Sequence, residues 1–214
     1  MLNSILYFEA RMNLGFELRK KESIKHFVDI LGLKDPYTKG HSERVAKFAT
    51  ILAKATKKFT DVDLEKFYSA CLLHDIGKLR IQKKLNKPTY LINEEYKIIK
   101  DHPILGIQLL KDKPLIAECI AGYEDVIYSH HKKWDGSGYP DGLKKEEIPL
   151  NARIVAISDA FDAMTSNRVY RNSLSFEEVY EQIIIGAYVQ FDPVLVEIFK
   201  TVYPLWIRVL KASP

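Results

Sequence analysis

Six histidines occur in this 214-residue chain, and five of them, His41, His74, His102, His130 and His131, stand where apolar helical patterns begin or end. His74 is followed at once by Asp75, Ile76, Gly77 and Lys78, after Leu64, Phe67, Tyr68, Cys71 and Leu72 at helical spacing. Neighbours on a helix differ by about 100° in direction but only ~1.5 Å in height, so both side chains can reach one point. An imidazole nitrogen beside a carboxylate oxygen suits a divalent metal. Singly, each residue has a plainer account: His41 as a capping residue, His102 before Pro103 as a helix end, His74 with Asp75 as a buried ion pair, Asp159 with Asp162 as an exposed acidic patch. Together, His41, His74, Asp75, His102, His130, His131 and Asp159 are too many donors for one ion, and two ions bridged by Asp75 account for the surplus. Thiols are scarce, which argues against a structural zinc cluster and leaves iron, manganese or zinc.

The cations near these donors suggest what the ions would act upon. Gly77 is read as the left-handed residue that stops the helix. Lys78 then extends past the stop, where a phosphate oxygen could sit. Arg168 and Arg171 follow Asp159 and Asp162 as a phosphate clamp. Between them, Trp134 to Leu143 is a glycine-rich loop with two large aromatics, Trp134 and Tyr139, and lacks the ending of a nucleotide P-loop.

The elements that must position these groups read as helices. Ile24, Phe27, Val28 and Leu31 form an amphipathic set closed by Gly32, and a loop is expected over Lys34 to Gly40. His41 opens the next helix, with Val45, Phe48, Ala49 and Leu52 inward. Thr60 or Asp61 caps the helix leading to His74, and Asn93 caps another leading to His102. Ile154, Ile157, Phe161 and Met164 make a core-facing stripe on the helix of Asp159 and Asp162. Ser175 with Glu178 makes a capping box, and Pro204 a kink or restart in the last helix. No run of alternating strand residues stands out. The fold expected is all-α, a compact bundle of about seven or more helices. It divides into a short N-terminal helical extension, residues 1–20, and a catalytic domain, residues 21–214. The extension could pack on the domain, pair with a second copy as a homodimer, or continue a linker.

Composition bounds the partners. With 32 basic against 28 acidic residues, the net charge of +4 tolerates an anionic small molecule without announcing nucleic acid, so no DNA partner is expected. The two cysteines, Cys71 and Cys119, lie among apolar residues as reduced thiols would, which suits a cytoplasmic setting. No stretch approaches the ~20 apolar residues of a membrane span.

The order of motifs resembles the HD-GYP family, a branch of the HD superfamily of metal-dependent phosphohydrolases that degrades the bacterial messenger cyclic di-GMP. The resemblance covers about residues 22 to 200. It rests on Tyr37 to Val45 around His41, on Leu73 to Lys78, on His102-Pro103, and on His130-His131 followed by Trp134 to Pro140. It continues through Ser158-Asp159 and Asp162 to Arg168, Tyr170 and Arg171. The resemblance implies that His41, His74, Asp75 and Asp159 hold one ion, and Asp75, His102, His130 and His131 the other. It implies iron or manganese as the metal. Lys78, Asp162, Arg168 and Arg171 would line the phosphate and guanine pocket, with Tyr139 closing one side. Asp75 and Lys78 would then be the catalytic residues of a phosphodiesterase that opens cyclic di-GMP to linear pGpG, and further to GMP, by attack of a hydroxide held between the ions. Two departures matter: Lys132 stands where the family usually has glutamate, and Val169 where proline is common. Tyr37 replaces the glutamate with which some relatives hold a third ion. The rival readings are a non-catalytic receptor for the dinucleotide, a module docking another protein through Gly138-Tyr139-Pro140, and a hydrolase of another cyclic dinucleotide or nucleotide ester.

Overall fold

The computed structural model describes residues 22–30, 32–33, 36–85, 97–167 and 172–212. The expected extension over residues 1–20, the Asn93 cap, Arg168, Val169 and Arg171 lie outside the described residues. After a helical stretch at 22–30, the elements are α1 (Pro36–Ala55), α2 (Asp61–Leu72), α3 (Lys78–Leu85), α4 (His102–Lys111), α5 (Pro114–Cys119) and α6 (Asp125–Ser129). A loop with a 3-10 turn at Lys145–Glu147 then leads to α7 (Leu150–Thr165), α8 (Phe176–Ile185) and α9 (Pro193–Ala212). The fold is all-α; among the described residues the sole strand-like pairing is an isolated bridge between Ala187 and Phe191. No described helix is long and apolar enough to cross a membrane.

α1 is the central element, packed along α2 on one side and α7 on the other. Its apolar face, Val45, Phe48, Ala49 and Leu52, is fully buried. Phe48 meets Phe161 of α7 and Trp206 of α9 with ring centroids 5.1 and 5.0 Å apart, and Phe161 meets Trp206 at 4.9 Å. Such pairs add about 0.5–1.5 kcal/mol each beyond the area they bury. This aromatic cluster joins the helix that bears His41 to the helix that bears Asp159.

Local signals account for the ends. Thr60 caps α2 by accepting from the Asp63 amide, and the Asp63 carboxylate answers the Thr60 amide at 2.9 Å. Ser175 and Glu178 repeat this capping box at α8. Four expectations change. α1 begins at Pro36, so His41 sits inside the helix instead of opening it. α2 ends at Leu72, so His74 and Asp75 lie just past it in a run of turns from 73 to 77. α9 continues through Pro204 as one helix, so of the kink or restart expected there the restart does not occur.

Gly77 is the fourth. The left-handed glycines among the described residues are Gly122 and Gly136, not Gly77. Its need for a missing side chain comes from packing: a Cβ there would lie 1.9 Å from the His102 carbonyl oxygen and 2.6 Å from the Gly106 amide nitrogen. The turn carrying His74 and Asp75 therefore rests directly on the first turns of α4, and His102 is brought to Asp75 by backbone contact.

Candidate metal centre

The seven donors arrive from five places in the chain: His41 from α1, His74 and Asp75 from the turn after α2, His102 from the start of α4, His130 and His131 from the end of α6, Asp159 from α7. They form two groups, Asp75 with His102, His130 and His131, and His41 with His74 and Asp159, the donor atoms of each lying within 4.8 Å of one another. All seven sequence-selected donors are thus brought together.

Asp75 joins the two groups. Its Oδ1 lies 3.3 Å from His102 Nε2 and 3.8 Å from His130 Nε2. Its Oδ2 lies 3.4 Å from His74 Nε2 and 3.8 Å from His41 Nε2. His41 Nε2 is also 3.2 Å from Asp159 Oδ1. Donors bound at about 2.1 Å and a right angle apart would stand about 3 Å from each other, close to these separations.

The rings are held in the tautomer a metal needs. The Nδ1 of His74 lies 2.8 Å from the Cys71 carbonyl, that of His102 2.8 Å from the Ile99 carbonyl, and that of His130 3.1 Å from the carbonyls of Val126 and Ile127. A carbonyl can only accept, so each Nδ1 carries the proton and each Nε2 turns its lone pair inward. His102 Nε2 and His130 Nε2 lie 3.1 Å apart, so two neutral rings with their Nδ1 protons on carbonyls would turn lone pair to lone pair there. His74 Nε2 and Asp75 Oδ1 are buried with no hydrogen-bond partner. Such orphaned acceptors aimed at one point are costly unless a cation lies among them, so the donors fit divalent metal.

Protonation tendencies agree. Burial pushes the His131 imidazolium down to about 3, partly opposed by the Asp159 carboxylate, and pushes His130 well below its usual value. For Asp75, burial works against the charge, yet the Lys78 ammonium beside it holds the carboxyl well below the usual range. His41 is the exception: burial lowers it, but Asp159 and Asp162 outweigh burial and raise it to about 9. Without a metal, His41 keeps a proton between two carboxylates.

Around these donors, Lys78 stands at the rim with its amine 2.5 Å from Asp75 Oδ2 and 30% of its side chain exposed. Tyr139 stacks on His131 at 4.7 Å and 27°, with Lys100 Nζ 5.5 Å from its ring centre. Asp162 is placed differently from the pocket residue expected of it. It is fully buried behind His41, accepting from His41 Nδ1 at 2.8 Å and from Arg44 Nε at 2.5 Å. Arg44 also reaches Ser166 Oγ at 3.1 Å. Sequence reading gave Arg44 no role, although its place three residues after His41 on the same helix put it within reach of the same partner.

Helical scaffold and paired imidazole-carboxylate groups together define a metal-binding all-α domain. A model of the HD domain family matches residues 25–195, and the chain belongs to that family, consistent with its HD-GYP branch. A "Probable cyclic di-GMP phosphodiesterase" of Vibrio cholerae is 37% identical over 178 residues, 78% of this chain and 40% of that protein. A "3'3'-cGAMP-specific phosphodiesterase 2" of the same organism is 31% identical over 217 residues, covering 100% of this chain and 41% of the relative. The chain thus spans about two fifths of these relatives. Among solved structures, an HDG"Y"P protein from Bdellovibrio bacteriovorus superposes with a TM-score of 0.59 at 19% identity, over 77% of this chain and 51% of that one, a likeness of fold.

Proposed function

We propose that this chain is a metal-dependent phosphodiesterase that hydrolyses cyclic di-GMP to linear pGpG, with two divalent ions, iron or manganese, held by the seven donors. The observation that carries the reading is the division of Asp75, one oxygen toward His102 and His130 and the other toward His41 and His74. The relatives named as cyclic di-GMP phosphodiesterases support the substrate.

Bound ions would supply an activated water at neutral pH and stabilise charge on the attacking and leaving oxygens. The protein's own groups do the rest. Four of the five site imidazoles have Nδ1 hydrogen-bonded to a carbonyl or carboxylate, which holds each ring with Nε2 toward the site; His41 would release its proton on binding an ion. Lys78 offers an exposed amine to a phosphoryl oxygen beside Asp75, and Tyr139 walls the His131 side against solvent. Asp162 acts through His41 instead of touching substrate. Arg168 and Arg171 extend the phosphate contact in this reading. The Gly138-Tyr139-Pro140 segment packs inward on His131, which supports a part in shaping the site over one as a docking handle for another protein. Cys71 and Cys119, both buried as thiols, support a cytoplasmic setting.

One specific observation favours a second substrate: a relative matching the whole chain is named for 3'3'-cGAMP. Protein loaded anaerobically with Fe(II) or Mn(II) and assayed against both dinucleotides decides between them. Turnover of cyclic di-GMP, abolished together with uptake of both ions in Asp75→Ala, is the expected result. Metal uptake without cleavage of either diester overturns it in favour of a receptor.

A further inference from the structure

Four of the five site histidines are oriented by a hydrogen bond from Nδ1 to a carbonyl or carboxylate; His131 has none among the described residues. Its orientation comes from rings: His130 at 4.1 Å, His102 at 4.9 Å and, stacked near parallel, Tyr139 at 4.7 Å. Tyr139 is in turn held by a loop folded back on the histidine pair. Its amide donates to the His131 carbonyl at 3.3 Å, and a Cβ at Gly138 would lie 2.4 to 2.5 Å from backbone atoms of His131, Lys132 and Lys133.

The fold-back is fastened by Lys132. Its side chain is fully buried, its amine pairs with the Asp141 carboxylate and lies 5.0 Å from the centre of the Tyr128 ring. The Tyr128 hydroxyl and the Leu143 amide also donate to Asp141. A buried ammonium needs its partner, so the loop cannot leave without stranding that charge. The position is the one at which the resemblance leads one to expect a glutamate, so this chain uses a fastener of the opposite sign.

We propose that Lys132 is a positioning residue: through Asp141 it clamps the 136–142 loop so that Tyr139 lies on His131 and fixes that imidazole toward its ion. The clamp tunes one subsite, Asp75 with His102, His130 and His131, and leaves the other alone. It rests on the two-ion reading above.

Stepwise titration of the metal-free protein with Mn(II), followed by electron paramagnetic resonance, tests it without substrate. Asp141→Asn, at a position whose side chain is 42% exposed, and Tyr139→Ala should each weaken one of the two binding steps roughly 10- to 100-fold and leave the other unchanged. Tyr139→Phe keeps the ring and should keep both steps. Recovery of the weakened step in the charge-swapped Lys132→Glu/Asp141→Lys protein further supports the clamp. Folded Asp141→Asn with both steps unchanged, or with both weakened alike, overturns the clamp while leaving the two-ion reading intact. A wild-type protein that binds fewer than two Mn(II) ions overturns the two-ion reading and the clamp with it.

Discussion

Gly77→Ala tests the claim that the centre is assembled by backbone contact. The added methyl would sit 1.9 Å from the His102 carbonyl oxygen, with the Gly106 amide nitrogen at 2.6 Å and the His102 carbonyl carbon at 2.8 Å. Carbon-to-oxygen contacts are ordinarily about 3.3 Å or more, so the turn and α4 would have to part by about 1.4 Å. No flexible side chain can absorb that, because every one of these neighbours is backbone. Overpacking of this kind costs about 1–3 kcal/mol, and the upper end is expected. At about 2–4 °C per kcal/mol for a chain of this size, the metal-free protein should melt roughly 6–12 °C lower. The same displacement would carry His102 Nε2 away from Asp75 Oδ1, now 3.3 Å distant. Misplacement by about 1 Å can cost on the order of 100-fold in activity. Thermal unfolding with chelator, then metal content and turnover of the folded protein, measure both effects. Gly142→Ala is the control, since a methyl there meets only an ordinary 3.9 Å contact. A Gly77→Ala protein that melts with the parent and binds both ions at unchanged affinity refutes the reasoning.

Asp162→Asn should weaken the His41 subsite roughly 10- to 100-fold in Mn(II) titration, because the carboxylate that orients His41 is lost, and should leave the other ion in place. Phe161→Ala removes the ring joining α1, α7 and α9 and should cost about 3–5 kcal/mol, or roughly 6–20 °C in melting temperature. Chelator-treated protein should be most stable near pH 6.5. His131, lowered to about 3, and His130 take up protons mainly when unfolded, so stability falls as pH drops below about 6.5; His41, raised to about 9, holds its proton mainly when folded, so stability falls as pH rises above about 6.5. A melting temperature that climbs steadily to pH 9 would contradict this.

The donors were legible because they are chemically odd where they stand. An apolar run ending in His74-Asp75, and a histidine doublet after another, have few uses in a plain core. Thr60, one of the two caps the sequence offered for α2, and the Ser175-Glu178 box were legible because a cap is a local bond within the first helical turn. What escaped depends on neighbours that spacing does not supply. Gly77 announces only that a side chain is unwanted; whether φ or a close approach forbids it depends on where α4 lands. Asp162 shares a face with Asp159, but its partner His41 lies 121 positions away, and only the packing of α1 on α7 decides that it turns to His41 and Arg44 instead of solvent. Lys132 is visible beside the histidine pair, yet Asp141 meets it only after the loop has folded back.

The two halves of the centre also differ in how much of the chain they need. Asp75, His102, His130 and His131 fall within one stretch of fewer than sixty residues, whereas His41 and Asp159 must be drawn together from opposite ends of the domain. The first is a pocket within one neighbourhood, the second a buckle whose tongue and frame are α1 and α7. Loosening α7 alone, by heat or by a cut before Leu150, would open the buckle and spill its ion first, so stepwise release of metal would report the order in which the domain comes apart.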